Sequence, residues 1–490
     1  FSTPCFFCLL TTSSSKAMVL KSKPVCNLTW TLLISALIVC IFATILNELV
    51  LPSHWIWPTI YYHVHSKCIV RGHLTIIDDT GEAREIHHFG NKQESPQTSI
   101  TIHDVRYFRH AVLDIDVGLG ESFVSQYWDT QDISQYLRLL FVNFNNDEFL
   151  WYFYYLQLVS FSQWLNIYHY YYSSQHTVFN DAAAIHHHYD WGTSLFQSFL
   201  DLETMTYTAA NFQHEMASNG ESELQLAQTN KVQRLINKMN LAKGDNVLEI
   251  GFGFGYLASL LVNTTDINSV TAITLSHDQL EYATNRYYKH SQNETIKRSL
   301  KYLYRDYRYY LEHGQHTAPF DAIISVEMIE AIGHDQIDTY FKTISKALKP
   351  GGRFVIQYGA YSIWAFPDYY RKNGVYFPTF VVKHVFPSHF EPDEQEIHQA
   401  ALKYGLELVH SEKFGLHYAK TLRIWKDSLK ANRQTVVDEF GQEVYRTFLY
   451  YLAWSQAVYQ TQILHEIQAV FVKTAGGDIG ERLDEQIYDL

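Results

Sequence analysis

The stretch Val247-Leu248-Glu249-Ile250-Gly251-Phe252-Gly253-Phe254-Gly255-Tyr256 decides the fold. An apolar run broken only by Glu249 ends in three alternate glycines and passes into the apolar, small-residue run 257–262. That order predicts a buried strand, a tight turn and a helix start. Glycines are needed in such a turn because a Cβ would hold the backbone N–H groups and the helix N-terminus away from a ligand lying across the strand ends. The spacing is G-x-G-x-G, with the acid Glu249 two residues before the first glycine. It suits S-adenosylmethionine (SAM) better than a dinucleotide, whose turn reads G-x-G-x-x-G. A turn of this kind also occurs as an ordinary strand-to-helix connection, so the reading rests on what surrounds it.

Outward from the turn, helices and strands alternate. Helix 229–239 precedes strand 246–250, and helix 256–262, strand 270–275 and helix 278–289 follow. Strands 301–304 and 322–326, helix 336–348 and strand 353–358 continue the series, with Lys349-Pro350-Gly351-Gly352 as a turn before the last. This rhythm predicts an α/β fold with a doubly wound, mostly parallel sheet and a ligand at the carboxyl ends of its strands. Residues 368–396 are rich in proline and aromatics and read as an inserted lid, and from residue 400 onward helices are expected to dominate, notably 444–472. Before the sheet, residues 67–176 read as a small α/β or β-rich domain. Its short alternating runs are 74–77, 99–102 and 111–115, followed by an aromatic-rich helix over 147–172 that is either buried or lipid-facing. Residues 177–490 form the main domain.

The 490 residues carry a net charge of −13 with no basic run, which argues against nucleic acid as a partner. Aromatic content of 16%, with 36 Tyr and 30 Phe, points either to an apolar substrate or membrane-facing surface or to an aromatic core. The five cysteines, Cys5, Cys8, Cys26, Cys40 and Cys68, all lie in the first 70 residues, and none pair at metal-ligand spacing. Of the 25 histidines, the adjacent His186-His187-His188 cannot share one face of a helix or strand, so no metal is expected. Within the N-terminal segment 1–66, residues 28–46 are uncharged and mostly apolar. They are about the length a membrane-crossing helix needs, and a single-pass or monotopic protein of an internal membrane is expected. A cleaved signal peptide is the competing reading, disfavoured because the run exceeds the usual apolar core of such peptides.

Several stretches, taken in order, resemble the cyclopropane-fatty-acyl-phospholipid synthase family of SAM-dependent lipid methyltransferases. They begin with Gly72-His73-Leu74 and Asp116-Val117-Gly118-Leu119-Gly120-Glu121, then His188-Tyr189-Asp190-Trp191-Gly192 and Met205-Thr206-Tyr207-Thr208. Leu226-Ala227-Gln228 with Lys231 precedes the glycine turn. After it come Thr274-Leu275-Ser276 with Gln279, Asp306-Tyr307-Arg308, and Ser325-Val326-Glu327-Met328-Ile329-Glu330-Ala331-Ile332-Gly333. Leu348-Lys349-Pro350-Gly351-Gly352 and His417-Tyr418-Ala419 close the series, which covers roughly residues 67–475.

The resemblance implies a seven-stranded SAM-methyltransferase sheet and SAM as cofactor. Gly251, Gly253 and Gly255 would allow close backbone approach beside Glu249; Thr274, Ser276 and Gln279 would face the ribose and adenine; Tyr189, Tyr207 and Thr208 the methionine end; Arg305 or Asp306 would flank adenine. It also implies methyl transfer to a double bond of an unsaturated acyl chain in a membrane phospholipid, followed by cyclopropane closure. A sulfonium methyl is electrophilic unaided, so the protein must align the alkene, exclude water and stabilise the acyl-chain carbocation. In the family this falls to a bicarbonate held by a Glu, a Tyr, a His and a Cys. Glu330 matches the Glu and Tyr418 the Tyr, but Ala209 and Gln357 stand where the family has a Cys and a His, and Ser455 where it has a further Cys. Gln357 can still donate to an anion, so bicarbonate is left open, as is a homodimer. The catalytic candidates are therefore Glu330, Tyr418 and Gln357. The alternatives are methylation of a sphingolipid alkene or a small amine, and a catalytically silent relative that binds SAM or lipid.

Overall fold

The computed structural model describes residues 53–143, 191–212, 222–289, 298–312, 319–362, 379–387 and 389–474. The expected anchor at 28–46, the aromatic-rich stretch 147–172, Tyr189 and the front of the expected lid (368–378) lie outside them. Among the described residues no helix is long and apolar enough to cross a membrane.

Two sheets organise the unit that starts at Ser53. The smaller holds β1 (His73–Asp78), β2 (Glu85–Gly90), β3 (Gln97–Ile102) and β4 (Trp128–Thr130) in the order β2-β1-β3-β4. Leu74, Ile76, Ile100 and Ile102 alternate along β1 and β3 and are buried, so the period-2 pattern puts one face of this sheet on the core. The run 111–115, read as extended from its apolar residues, is instead split between helices Arg106–Leu113 and Ile115–Val124. Tyr107, Phe108, Val112 and Leu113 all face inward, a spacing that fits a helical stripe once more than five residues are considered.

The larger sheet contains β5 (Asn246–Ile250), β6 (Ser269–Thr274), β7 (Leu300–Tyr304), β8 (Phe320–Val326), β9 (Leu348–Tyr361), β10 (Leu406–Lys413) and β11 (Leu464–Lys473). Their order is β10-β11-β9-β8-β5-β6-β7, and β11 runs antiparallel to both neighbours while the other adjacent pairs are parallel. The mostly parallel, doubly wound sheet expected from the βαβ rhythm is therefore present. The helix expected over 444–472 is not continuous: it ends at Gln460, and β11 follows a turn at Gln462, whose φ is 57°. Leu464-His465-Glu466-Ile467-Gln468-Ala469-Val470-Phe471 is buried almost throughout because it is a central strand, and its mixed apolar and polar sequence has no clean period that separates strand from helix. β10 was likewise unforeseen; it is an edge strand exposed along most of its length.

The small sheet and the C-terminal helices share one apolar core, in which Trp128, Tyr136 and Leu137 meet Phe448, Tyr450 and Leu452. Two buried cations cross this junction. Lys426 donates to Ser134 Oγ (2.6 Å) and Gln456 Oε1 (2.8 Å), and Arg446 donates to the Phe123 carbonyl (2.7 Å) and Asp129 Oδ1 (2.8 Å). Helix Ile115–Val124 also grips the short helix Phe380–His384. Asp116 accepts from the Phe380 N–H (2.8 Å) and from Trp454 Nε1 (2.7 Å), and Glu121 accepts from Lys383 and His384. Gly120 sits under the Phe380 ring, where a Cβ would stand 2.2 Å from it. Gly120→Ala should therefore cost about 1–3 kcal/mol through overpacking, read as a lower melting temperature, whereas Gly244→Ala, with open space at its Cβ but a φ of 88°, should lose only the backbone term.

Candidate active site

The sheet's carboxyl edge carries two adjoining cavities of about 180 and 190 Å³. The first lies over the glycine turn, whose φ values of 78°, 55° and 90° at Gly251, Gly253 and Gly255 require glycine. Its lining includes Tyr207, Thr208, Glu249, Gly251, Gly253, Thr274 and Gln279. The glycines are not equivalent. Nothing stands near a Cβ placed on Gly253, so that position is open to a ligand, whereas a Cβ on Gly255 would meet Ala283 Cβ at 2.6 Å and Tyr302 Oη at 2.9 Å. Gly255 therefore serves packing, and it does not line the cavity.

Ser276 and Asp306, both expected at the cofactor, also take structural duties. Ser276 Oγ caps helix His277–Ala283 by accepting from the Gln279 N–H, and its own N–H donates to Thr274 Oγ1 (3.1 Å). Thr274 Oγ1 in turn donates to Gln279 Oε1 (2.7 Å), which fixes the two side chains that do reach the cavity. The Asp306 carboxylate is held by Arg308 through Nε (3.0 Å) and a terminal nitrogen (2.8 Å) in a buried pair. Its neighbour Arg305 lines the cavity instead.

Burial pushes the Glu249 carboxyl well above its ordinary range, opposed by the Lys231 charge and the Ala258 N–H, and Glu249 Oε2 has no hydrogen-bond partner among the described residues. Lys231, buried beside it, donates to Thr208 Oγ1 (2.7 Å); burial lowers it to about 8 against the pull of Glu327, Glu466 and Glu249. An unsatisfied buried acceptor and an open glycine in one cavity are what a polar ligand with hydroxyl or ammonium donors would complete. SAM carries both.

The second cavity is lined by aromatic rings, including Tyr207, Tyr418, Tyr451 and Tyr459, and by four carboxylic acids, Glu327, Glu330, Glu391 and Glu466. Tyr207, Glu327 and Ala331 line both cavities. Glu330 Oε1 accepts from the Gly359 N–H (2.7 Å), while Oε2 is buried without a partner among the described residues. Burial, then Glu391 and Glu327, push Glu330 well above the usual range. Glu466, paired across β11 and β9 with Gly359, is pushed up by burial and then by Glu327 and Glu330, and its Oε2 accepts from Tyr459 Oη (3.2 Å). A Cβ at Gly359 would stand 2.5 Å from Glu391 Oε2, so a larger residue there would displace that carboxyl group.

Glu327, in the motif 325–333 but outside the expected catalytic set, accepts the most hydrogen bonds of the site's acids. Its Oε1 accepts from the Ala209 N–H (2.8 Å) and Gln357 Nε2 (2.6 Å), and its Oε2 from Tyr418 Oη (2.9 Å). Gln357, expected to act on an anion directly, lines neither cavity and is braced from behind by Gln468 Nε2 (2.9 Å). Glu327 has φ of 47°, a left-handed conformation that costs a residue with a Cβ roughly 1–2 kcal/mol. The donors available for a bicarbonate are thus already committed to this carboxylate, and the residues present do not leave that anion a place. Glu327, Lys231, Glu391 and Glu466 were all missed as site residues; an acid three residues before Glu330, and another inside the apolar run 464–471, were the available signals.

A seven-stranded sheet with one antiparallel strand and a cavity of this make-up over its glycine turn define a SAM-dependent methyltransferase. Residues 176–469 match the family described as mycolic acid cyclopropane synthetase, and the chain belongs to that family. Among its relatives, the tuberculostearic acid methyltransferase UfaA1 of Mycobacterium tuberculosis is 31% identical over 290 residues, covering 58% of this chain and 64% of that protein. The sphingolipid C9-methyltransferase of Komagataella phaffii is 27% identical, covering 58% of this chain and 56% of that protein. The chain thus spans less than two thirds of the length of these two relatives. The crystal structure of mycolic acid cyclopropane synthase CmaA1 complexed with SAH and CTAB superposes with a TM-score of 0.52 at 25% identity, covering 60% of this chain and 98% of that one. The cofactor is SAM.

Two measurements probe the site. Gly253→Ala should weaken SAM binding in calorimetry by about tenfold, equivalent to about 1.4 kcal/mol, with a small loss of melting temperature, whereas Gly255→Ala should lower melting temperature more steeply. The second concerns pH. Glu466 holds its proton in the folded chain at pH values where the unfolded chain has released it, so stability falls as pH rises above the ordinary Glu value of 4.5 toward the raised folded one. Glu466→Gln mimics the protonated acid, and its melting temperature should decline less than that of the parent between about pH 5 and 8.

Proposed function

We propose that this chain transfers a methyl group from SAM to a double bond in an unsaturated acyl chain of a membrane phospholipid and closes the product to a cyclopropane. The observation that carries this reading is the pair of adjoining cavities that share Tyr207, Glu327 and Ala331. When bound, SAM supplies an electrophilic methyl that leaves a cation on the acyl chain. Around that position the chain supplies what a cation needs. Rings of Tyr207, Tyr418, Tyr451 and Tyr459 offer their negative faces, and the Glu327 carboxylate, met by three donors, adds negative potential beside them. Glu330 ties the segment that carries Glu327 to its neighbours: its side chain accepts from the Gly359 N–H and its carbonyl accepts from the Phe390 N–H (3.0 Å).

A membrane location, supported by the apolar run 28–46, would bring the acyl chain within reach. A sphingolipid alkene is the second reading, favoured by the relative from Komagataella phaffii. A small amine is less well suited, because methylating it forms no carbocation for the ring-lined second cavity to hold. The test is lipid mass spectrometry after incubation with unsaturated phospholipid vesicles and SAM bearing a deuterated methyl. A gain of one CH₂ equivalent per modified chain, with one deuterium lost from the transferred methyl, is expected; full retention of deuterium would mean a methyl branch. Unlabelled phospholipid, with label on sphingolipid in a parallel sample, would favour the second reading.

A further inference from the structure

We propose that Glu327 is the general base that closes the ring, in place of the bicarbonate that the family resemblance implies; the inference rests on the lipid-alkene reading above. Three donors from three separate elements converge on its carboxylate: the Ala209 N–H, Gln357 Nε2 and Tyr418 Oη, at 2.8, 2.6 and 2.9 Å. Such a cradle is what a small oxyanion would be given, and here a side chain fills it. Two of the donors come from the positions at which the chain departs from its family, Ala209 and Gln357.

Placement agrees with this role. Glu327 lines both cavities, at the junction where a methyl from one side meets an alkene from the other. Its φ of 47° is pinned by its own N–H, which donates to the Gln357 carbonyl at 2.8 Å. Strain of this sort in a non-glycine residue persists where the surroundings over-determine it, and it clusters at functional sites. Burial raises its basicity, while the bonds from Ala209 and Gln357 and the charge of Lys231 favour its ionised form.

The step balances within the substrate and this one residue. The Glu327 carboxylate takes a proton from the newly added methyl carbon, the released C–H pair forms the third ring bond to the cationic carbon, and Glu327 is left as a neutral acid that later loses its proton to solvent. Nothing is oxidised or reduced.

The test compares ring formation on unsaturated phospholipid vesicles in bicarbonate-free buffer under CO₂-free gas with the same reaction after bicarbonate is added. Equal rates are expected for the parent enzyme. Glu327→Gln should lose about 100-fold or more of ring formation, the scale of a lost general base, while SAM binding in calorimetry is kept. Glu327→Gly relaxes the left-handed backbone and should fold; it should bind bicarbonate in a thermal-shift assay in which the parent does not, and regain ring formation when bicarbonate is present. A parent enzyme whose ring formation requires bicarbonate, or a Glu327→Gln variant that closes rings at the parent rate, would overturn the inference while leaving the lipid-alkene reading intact. A parent that labels no lipid under either condition overturns both.

Discussion

A carboxylate shut away from water must be met by donors or lose its charge, and at Glu327 the loop through Ala209, strand β9 and helix Gly415–Ala431 each send one. Much of the surrounding architecture follows from that requirement. Gln357 can face Glu327 only because Gln468 supports it from the neighbouring strand, and Gln468 stands there because β11 is inserted between β9 and β10. The same strand brings Glu466 opposite Gly359, so the proton that Glu466 retains and the N–H that orients Glu330 come from one cross-strand pair.

The cofactor side is governed by a different constraint, close backbone approach. Gly253 leaves space and Gly255 fills it with Ala283 and Tyr302, so one motif both opens the cavity and locks the following helix to β7. Lys231 then joins the two cavities electrostatically, since the acids that attract it, Glu249, Glu327 and Glu466, are distributed between them.

Elements with a strong local signature were legible in the sequence. The glycine turn, the strands 246–250 and 322–326 and the helix around 337–347 rest on period and turn chemistry that neighbours do not override. Strand β11 was not, because it is buried on both faces, polar Glu466 and Gln468 included, and so lacks the alternation that marks a half-buried strand. Asp306 and Ser276 were placed at the cofactor by motif position, yet a bidentate arginine two residues on and a helix N-terminus claim them. Glu327 escaped notice for the opposite reason: its importance comes from donors 118, 30 and 91 residues away in the chain, which no local reading brings together.

The grip of helix Ile115–Val124 on Phe380 and Trp454 has a consequence for biosynthesis. Asp116 finds these two partners 264 and 338 residues later, and Ser134 meets Gln456 after 322. The small sheet is therefore made early but cannot complete its interior until the segment through Gln456 has left the ribosome. During that interval the apolar side of Trp128 and Tyr136 lacks its cover, the kind of delay that lengthens folding and exposes a nascent chain to self-association.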